Sequence, residues 1–126
     1  MIDGLPMNPR RVLIVDDNPD AVAVLSIALR RGGHQVQRAA DGRSAIEIAR
    51  KLRPELVFLD LGLPQLTGFD VARALRRELG SEVRIIAVTG SGQQEDREAA
   101  LEAGFDHYLL KPVDLGFVES LLGQRH

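Results

Sequence analysis

The chain has no cysteine, no tryptophan, a single tyrosine and no long hydrophobic run. Without cysteine it can form neither a disulfide bond nor a thiolate metal site, so a metal would need oxygen or imidazole ligands. The apolar runs are four or five residues long, whereas a helix needs about 20 to cross a bilayer, and the N-terminus lacks the apolar core of a signal peptide. We therefore expect a cytoplasmic protein that does not enter membranes.

The chain also lacks an excess of charge of one sign. Its formal net charge is −2, and both signs are spread along the sequence, so there is no basic stripe of the kind that binds nucleic acid. Every one of the 16 basic residues is arginine except Lys51 and Lys111. Lys51 suits the last turn of a helix. Lys111 follows a strand, which makes it a candidate for a site that needs a compact cation on a flexible stem.

A length of 126 residues indicates one domain. Residues 1–9 lack periodicity and contain glycine and two prolines, which predicts a linker or disordered N-terminus before a domain at 10–126. In that domain five strands alternate with five helices, which predicts an α/β fold with a parallel sheet. Continuously apolar strands are typical of a sheet covered on both faces. We expect a doubly wound, flavodoxin-like sheet in the order 2-1-3-4-5. The predicted strands lie near residues 12–15, 35–39, 56–60, 84–88 and 108–110.

Four of these strands end in residues that can bind a metal or a phosphate. The first ends in Asp16 and Asp17, the third in Asp60, the fourth in Thr89 and the fifth in Lys111. Because ligands bind at the carboxyl ends of parallel strands, we expect the five side chains to converge. Three adjacent carboxylates repel one another, and Mg²⁺, which prefers oxygen ligands, would relieve that repulsion. A hydroxyl and an amine would then be available to phosphoryl oxygens.

The combination of motifs resembles the receiver domain of two-component response regulators, a CheY-like family, from Arg11 to about Leu122. The matching motifs are Val-Asp-Asp at 15–17, Asp-Leu-Gly-Leu-Pro at 60–64 followed by Gly68, Thr89-Gly90, and Tyr108 three positions before Lys111-Pro112. Each motif is weak alone, but their order and spacing together are highly specific. Several stretches resemble most closely the C-terminal receivers of hybrid sensor histidine kinases.

The resemblance implies a function for the acidic residues. Asp60 would be the phosphoacceptor, whose carboxylate takes a phosphoryl group from a phosphohistidine. Asp17 would bind Mg²⁺ directly and Asp16 through water, while Asp60 and the backbone carbonyl of Gly62 would complete the protein ligands. The domain would be a signalling switch that catalyses only its own phosphoryl transfer and a slow self-dephosphorylation.

The resemblance also implies which residues contact the phosphoryl group and respond to it. Thr89 and Lys111 would contact its oxygens, the Lys111–Pro112 peptide bond would be cis, and Tyr108 would be the aromatic switch residue that turns inward with Thr89. The helix predicted near 94–103 has a thin apolar face, and a helix with few apolar contacts is easily displaced. We expect the surface formed by that helix, the last strand and the last helix to change on phosphorylation and to contact a partner.

The expected partners are a sensor histidine kinase, either separate or within the same polypeptide, and a histidine phosphotransfer protein. We expect no nucleic acid to bind to this chain itself. Gly62 and Ser91 lie two residues after Asp60 and Thr89, where family members differ in how fast they lose the phosphoryl group. Neither offers an acid or an amide to orient water, so rapid dephosphorylation is not predicted.

Three other functions are compatible with parts of the sequence but fit it less well. An aspartyl-phosphate phosphohydrolase commonly has a second carboxylate two residues after its nucleophile, but Asp60 is followed by Leu61 and Gly62. A dinucleotide-binding module would need a Gly-x-Gly-x-x-Gly turn after the first strand, where residues 16–20 read Asp-Asp-Asn-Pro-Asp. A receiver-like scaffold that binds a partner without phosphorylation is disfavoured because no member of the motif set is missing.

Overall fold

The computed structural model describes residues 9–62, 67–90 and 94–122, with only the backbone of 94–97. The predicted linker at 1–9 therefore lies outside the described residues except for Pro9, as do Ser91 and part of the 61–67 loop. The strands are β1 (Arg11–Val15), β2 (Gln35–Ala39), β3 (Leu56–Asp60), β4 (Arg84–Thr89) and β5 (His107–Leu110). The helices are α1 (Pro19–Arg31), α2 (Gly42–Leu52), α3 (Gly68–Leu79), α4 (Gln94–Glu102) and α5 (Leu115–Leu122).

The five strands form one parallel sheet in the order β2-β1-β3-β4-β5, which confirms the predicted topology. The central strands β1, β3 and β4 are apolar apart from residues at their ends, because helices cover both faces of the sheet. Leu13 and Val15 of β1 point into a core shared with α2, α3 and α4. Val12 and Ile14, which alternate with them, point into a second core shared with α1 and α5.

Helix starts are fixed by polar side chains that bind the otherwise unpaired amides of the first turn. The Asn18 side chain accepts hydrogen bonds from the amides of Asp20 and Ala21 at the start of α1. Asp41 accepts one at 2.8 Å at the start of α2, and Thr67 accepts one at 3.2 Å at the start of α3. Pro19 occupies the first helical position of α1, where its missing N–H costs no hydrogen bond. These caps fix the starts of α1 and α2 within four residues of the ends of β1 and β2, and the start of α3 after the 61–67 loop.

None of the helices in the described ranges has the length and apolar character needed to span a bilayer.

Candidate functional site

The register of the sheet brings the predicted carboxylates together. Val15 of β1 pairs with Leu59 of β3, so the next residues, Asp16 and Asp60, are neighbours at the carboxyl edge. Asp16 and Asp60 are each 8% exposed, whereas Asp17 is exposed. One carboxylate oxygen from each of the three residues lies within 4.8 Å of the others. The acidic cluster predicted from the strand ends is therefore present.

Lys111 bridges two of these acids. Its Nζ lies 3.2 Å from Oδ2 of Asp16 and 3.5 Å from Oδ2 of Asp60. Burial favours the neutral amine, but the charges of Asp60 and Asp16 outweigh it, so the pKa of Lys111 is raised. The peptide bond between Lys111 and Pro112 is cis. The ammonium is thus held in the site as a fixed positive charge.

The pKa of the Asp60 carboxyl group is subject to opposing effects. Burial raises its pKa, and the charge of Asp16 acts in the same direction. The Gly62 amide, which donates to Oδ1 of Asp60 at 2.9 Å, and Lys111 both lower it. The net direction is upward, so the ionised form of Asp60 is less stable here than in water. A carboxylate that gains from added positive charge is well suited to a cation or a cationic partner.

The donor set fits a hard divalent cation. It consists of carboxylate oxygens, and the three acids with Lys111 carry a net charge of about −2, which a divalent ion would neutralise. The second oxygen of Asp16 is fixed by the amide of Asn18, which donates to Oδ1 at 2.9 Å. Octahedral Mg²⁺ commonly takes one or two carboxylates and retains water. The structure therefore presents an acidic cluster whose composition and spacing fit Mg²⁺.

Of the other predicted residues, Gly62 and Thr89 lie next to this cluster, whereas Tyr108 lies further along β5, paired with Ala87. Thr89 is buried at the end of β4, next to Val88, which pairs with Asp60. The Thr89 carbonyl accepts a hydrogen bond from the Lys111 amide at 2.8 Å, so the ends of β4 and β5 are joined at the site. Tyr108 is half-buried and packs against the core shared with α4. Gly62 is exposed and lies beside the Asp60 carboxylate.

Gly68 is a site residue whose importance the sequence motif did not explain. It begins α3, and a Cβ atom there would lie 2.8 Å from the Leu61 Cα and 2.9 Å from the Asp60 carbonyl oxygen. Only glycine lets α3 approach the backbone that carries Asp60. The sequence signal is a glycine directly after the cap residue Thr67, where most residues would favour a helix more.

Apolar side chains are exposed on the side of the molecule formed by the last elements. Leu101 of α4, Leu110 of β5 and Phe117 of α5 are 56%, 52% and 37% exposed. We call the surface around these three residues the α4–β5–α5 face. The sequence predicted that this face contacts a partner, and its exposed apolar residues are compatible with such a contact.

Comparison with known proteins places this arrangement in a family. The family model described as "Response regulator receiver domain" matches residues 12–121. The DNA-binding dual master transcriptional regulator RpaA of Synechocystis sp. is 39% identical over 115 residues, which cover 90% of this chain and 46% of that protein. The chain thus spans about half the length of the curated relatives it matches.

Two solved structures are similar along most of both chains. The receiver domain of sensor histidine kinase PA1611 from Pseudomonas aeruginosa has a TM-score of 0.81 at 36% identity, covering 91% of this chain and 95% of that one. That structure has a magnesium ion coordinated in its active site cleft. The receiver domain of Ssk1 from Saccharomyces cerevisiae, solved with the histidine phosphotransfer protein Ypd1, has a TM-score of 0.80 at 32% identity, covering 90% and 86%.

Proposed function

This chain belongs to the response regulator receiver domain family, and we propose that it is a switch phosphorylated on Asp60 by a phosphohistidine donor. The observation that carries the proposal is the pairing of a buried carboxylate with Lys111, 3.5 Å away, and with two further acids within 4.8 Å. Receiver domains are signalling switches and not enzymes acting on a separate substrate.

The proposed transfer is a direct displacement at phosphorus. An oxygen of the ionised Asp60 carboxylate forms the new bond to phosphorus, the phosphorus–nitrogen bond of phosphohistidine breaks, and the ring nitrogen keeps the electron pair. When bound to Asp16, Asp17, Asp60 and the Gly62 carbonyl, Mg²⁺ would supply positive charge to the phosphoryl oxygens. Lys111 adds its ammonium, and such transfers depend mainly on positioning and charge neutralisation.

Arrival of the phosphoryl group would change the partners of Lys111. The ammonium that now lies between Asp16 and Asp60 would contact a phosphoryl oxygen, together with the Thr89 hydroxyl. The Lys111 amide donates a hydrogen bond to the Thr89 carbonyl, so movement of either residue would displace the ends of both β4 and β5. Tyr108 and the α4–β5–α5 face adjoin these strand ends. We propose that phosphorylation shifts the population of conformations of this face, which then binds a protein partner.

The solved relatives support a phosphohistidine donor of one of two kinds. One belongs to a sensor histidine kinase, and the other was crystallised with a histidine phosphotransfer protein. We propose that a histidine kinase, separate or in the same polypeptide, or such a phosphotransfer protein supplies the phosphoryl group. We further propose slow self-dephosphorylation, because the position two residues after Asp60 is Gly62, which has no side chain to orient water.

The test of phosphorylation is exposure to acetyl phosphate and Mg²⁺ followed by intact mass spectrometry. Wild type should gain one phosphoryl group, Asp60→Ala should gain none, and Glu47→Ala, which removes an exposed acid on α2, should behave as wild type. A wild type that gains nothing, or an Asp60→Ala variant that is still phosphorylated, would refute the proposal.

The switch has a separate test in amide hydrogen exchange with and without beryllofluoride and Mg²⁺. We expect exchange to change in α4, β5 and α5 and to stay constant in α2, which packs against β1 and β2 at the opposite edge of the sheet. Equal exchange in both states across the α4–β5–α5 face would contradict the proposed output.

A further inference from the structure

An apolar cavity adjoins the phosphoacceptor and has no place in the function proposed above. Its volume is about 200 Å³, and it lies between α1, the sheet and the segment that follows β5. Among the described residues that line it, all are apolar except Asp16, Asp60 and Lys111. The cavity therefore combines a large apolar wall with the three charged groups that would handle a phosphoryl group.

The size and lining of the cavity restrict what could occupy it. An apolar cavity of about 150 Å³ is enough to hold a molecule such as benzene, so this one can take a short aliphatic or aromatic group. The outer wall is formed by Ala21 and Val24 of α1, and Val24 is 60% exposed, which leaves that side accessible from solvent. The wall offers no polar group for a nucleobase or a sugar among its described residues. The chemistry that fits is a molecule with a phosphoryl group at one end and a short apolar chain at the other.

We propose that this cavity is a subsite for the acyl chain of small acyl phosphates, so that donors with a short apolar chain phosphorylate Asp60 faster than acetyl phosphate does. The inference rests on the proposed function, because it assumes that Asp60 is the phosphoacceptor. The Asp60 carboxylate oxygen forms the bond to phosphorus, the phosphorus–oxygen bond to the acyl group breaks, and the acid leaves as its carboxylate. One acyl phosphate replaces another, so no proton, oxidant or reductant is required.

The expected preference follows from the burial of methylene groups. Butyryl phosphate has two more methylenes than acetyl phosphate, and moving both from water into the cavity predicts about a tenfold higher second-order rate constant. The ratio of the two rate constants, measured with Mg²⁺ by intact mass spectrometry, is the quantity to determine. Spontaneous hydrolysis of each donor without protein corrects for any difference in intrinsic reactivity.

Two pairs of variants on α1 distinguish the effect of changing the cavity from the effect of altering the helix in general. Ala21→Leu fills the cavity and should bring the ratio close to one, whereas Ala23→Leu, the same change at an exposed position outside the lining, should keep it near ten. Val24→Ser should also lower the ratio, while Ile27→Ser should not. Val24 and Ile27 are 60% and 58% exposed, so the second pair tests the cavity even if the Ala21 variant fails to fold.

The outcomes distinguish this inference from the function on which it rests. If acetyl phosphate labels Asp60 but the wild-type ratio is near one, the proposed function stands, the subsite is refuted, and the cavity has another occupant such as a side chain of a donor protein. If Ala21→Leu and Val24→Ser both keep a high ratio, the chain binds elsewhere and the inference is also wrong. If neither donor labels the protein, both proposals fail.

Discussion

Replacing Gly68 by alanine tests whether the start of α3 positions Asp60, the proposed phosphoacceptor. The new Cβ would lie 2.8 Å from the Leu61 Cα and 2.9 Å from the Asp60 carbonyl oxygen, where ordinary contacts begin at 3.4 Å. Both atoms belong to the backbone, which cannot rotate away as a side-chain end can. We therefore expect the Asp60–Leu61 backbone and α3 to separate by about half an ångström.

The size of the effect can be set from two opposing contributions. Overpacking a well-packed site costs about 1–3 kcal/mol, and the better helix propensity of alanine returns at most about 1 kcal/mol. With the full gain in propensity, the net loss of stability should be about 0–2 kcal/mol. Since a misplacement of about 1 Å can cost a hundredfold in rate, the half-ångström displacement of Asp60 should slow phosphorylation about tenfold.

The assay compares Gly68→Ala with Gly116→Ala at a temperature well below both melting transitions. Gly116 also lies in the first turn of a helix, but a Cβ there would meet only the Oδ1 atom of Asp114, at 3.2 Å. We measure the rate of labelling by acetyl phosphate at saturating Mg²⁺, the Mg²⁺ dissociation constant, and urea unfolding. The control should match wild type in rate and affinity. A Gly68→Ala protein that is labelled at the wild-type rate would refute the positioning argument, even if its stability were reduced.

Three further predictions follow from charges and hydrogen bonds. Asp60→Asn should raise the melting temperature in metal-free buffer by about 2–5 °C, because it removes a carboxylate whose pKa is raised by burial and by a neighbouring acid; an unchanged or lower value would contradict this. Burial and an adjacent arginine lower the pKa of both His34 and His107 below 6.5. As the pH drops through 6.5 the unfolded chain therefore binds more protons than the folded one, and the urea midpoint of unfolding should fall. The fall should be smaller in a variant in which both histidines are replaced by glutamine. Arg76→Ala should cost about 2 kcal/mol in urea unfolding, since its guanidinium donates to three backbone carbonyls and one carboxylate, whereas exposed Arg77→Ala should cost little.

The sequence predicted the elements well because their signals are local. Continuously apolar strands flanked by capping residues such as Asn18 and Asp41 leave few alternatives for where each helix begins. The predictions were weaker for which side of α1 is buried. Ala21, Val24, Leu25, Ala28 and Leu29 recur at helical spacing, which predicts one apolar stripe. Leu25 and Leu29 are buried as expected, but Val24 is 60% exposed, and Val22 and Ser26 are buried in addition. Apolar residues occur on every side of this helix. Several apolar stripes with the same helical period are therefore possible, and only packing against the sheet determines which one is buried.

The site was predictable to the extent that it depends on strand ends. The predicted strand order puts β1 beside β3, and because the strands of the sheet are parallel, their carboxyl ends meet at one edge, where the observed register places Asp16 beside Asp60. The close approach of Gly68 to the Asp60 backbone and the cavity beside α1 depend on distances between elements, to which no local pattern corresponds. These are the features for which the structure adds most to the sequence, and both adjoin Asp60.

Lys111 makes contacts in several parts of the proposed phosphorylation site. Its ammonium pairs with Asp16 and Asp60, its backbone amide binds the end of β4, and its side chain lines the apolar cavity. A single ammonium cannot fully neutralise two carboxylates that are both buried, so the site without a cation keeps unfavourable charge repulsion. A phosphoryl group on Asp60 would redistribute the contacts of Lys111 without requiring it to leave the site. Because its amide is bonded to the Thr89 carbonyl, we expect that redistribution to reach β4, β5 and the α4–β5–α5 face.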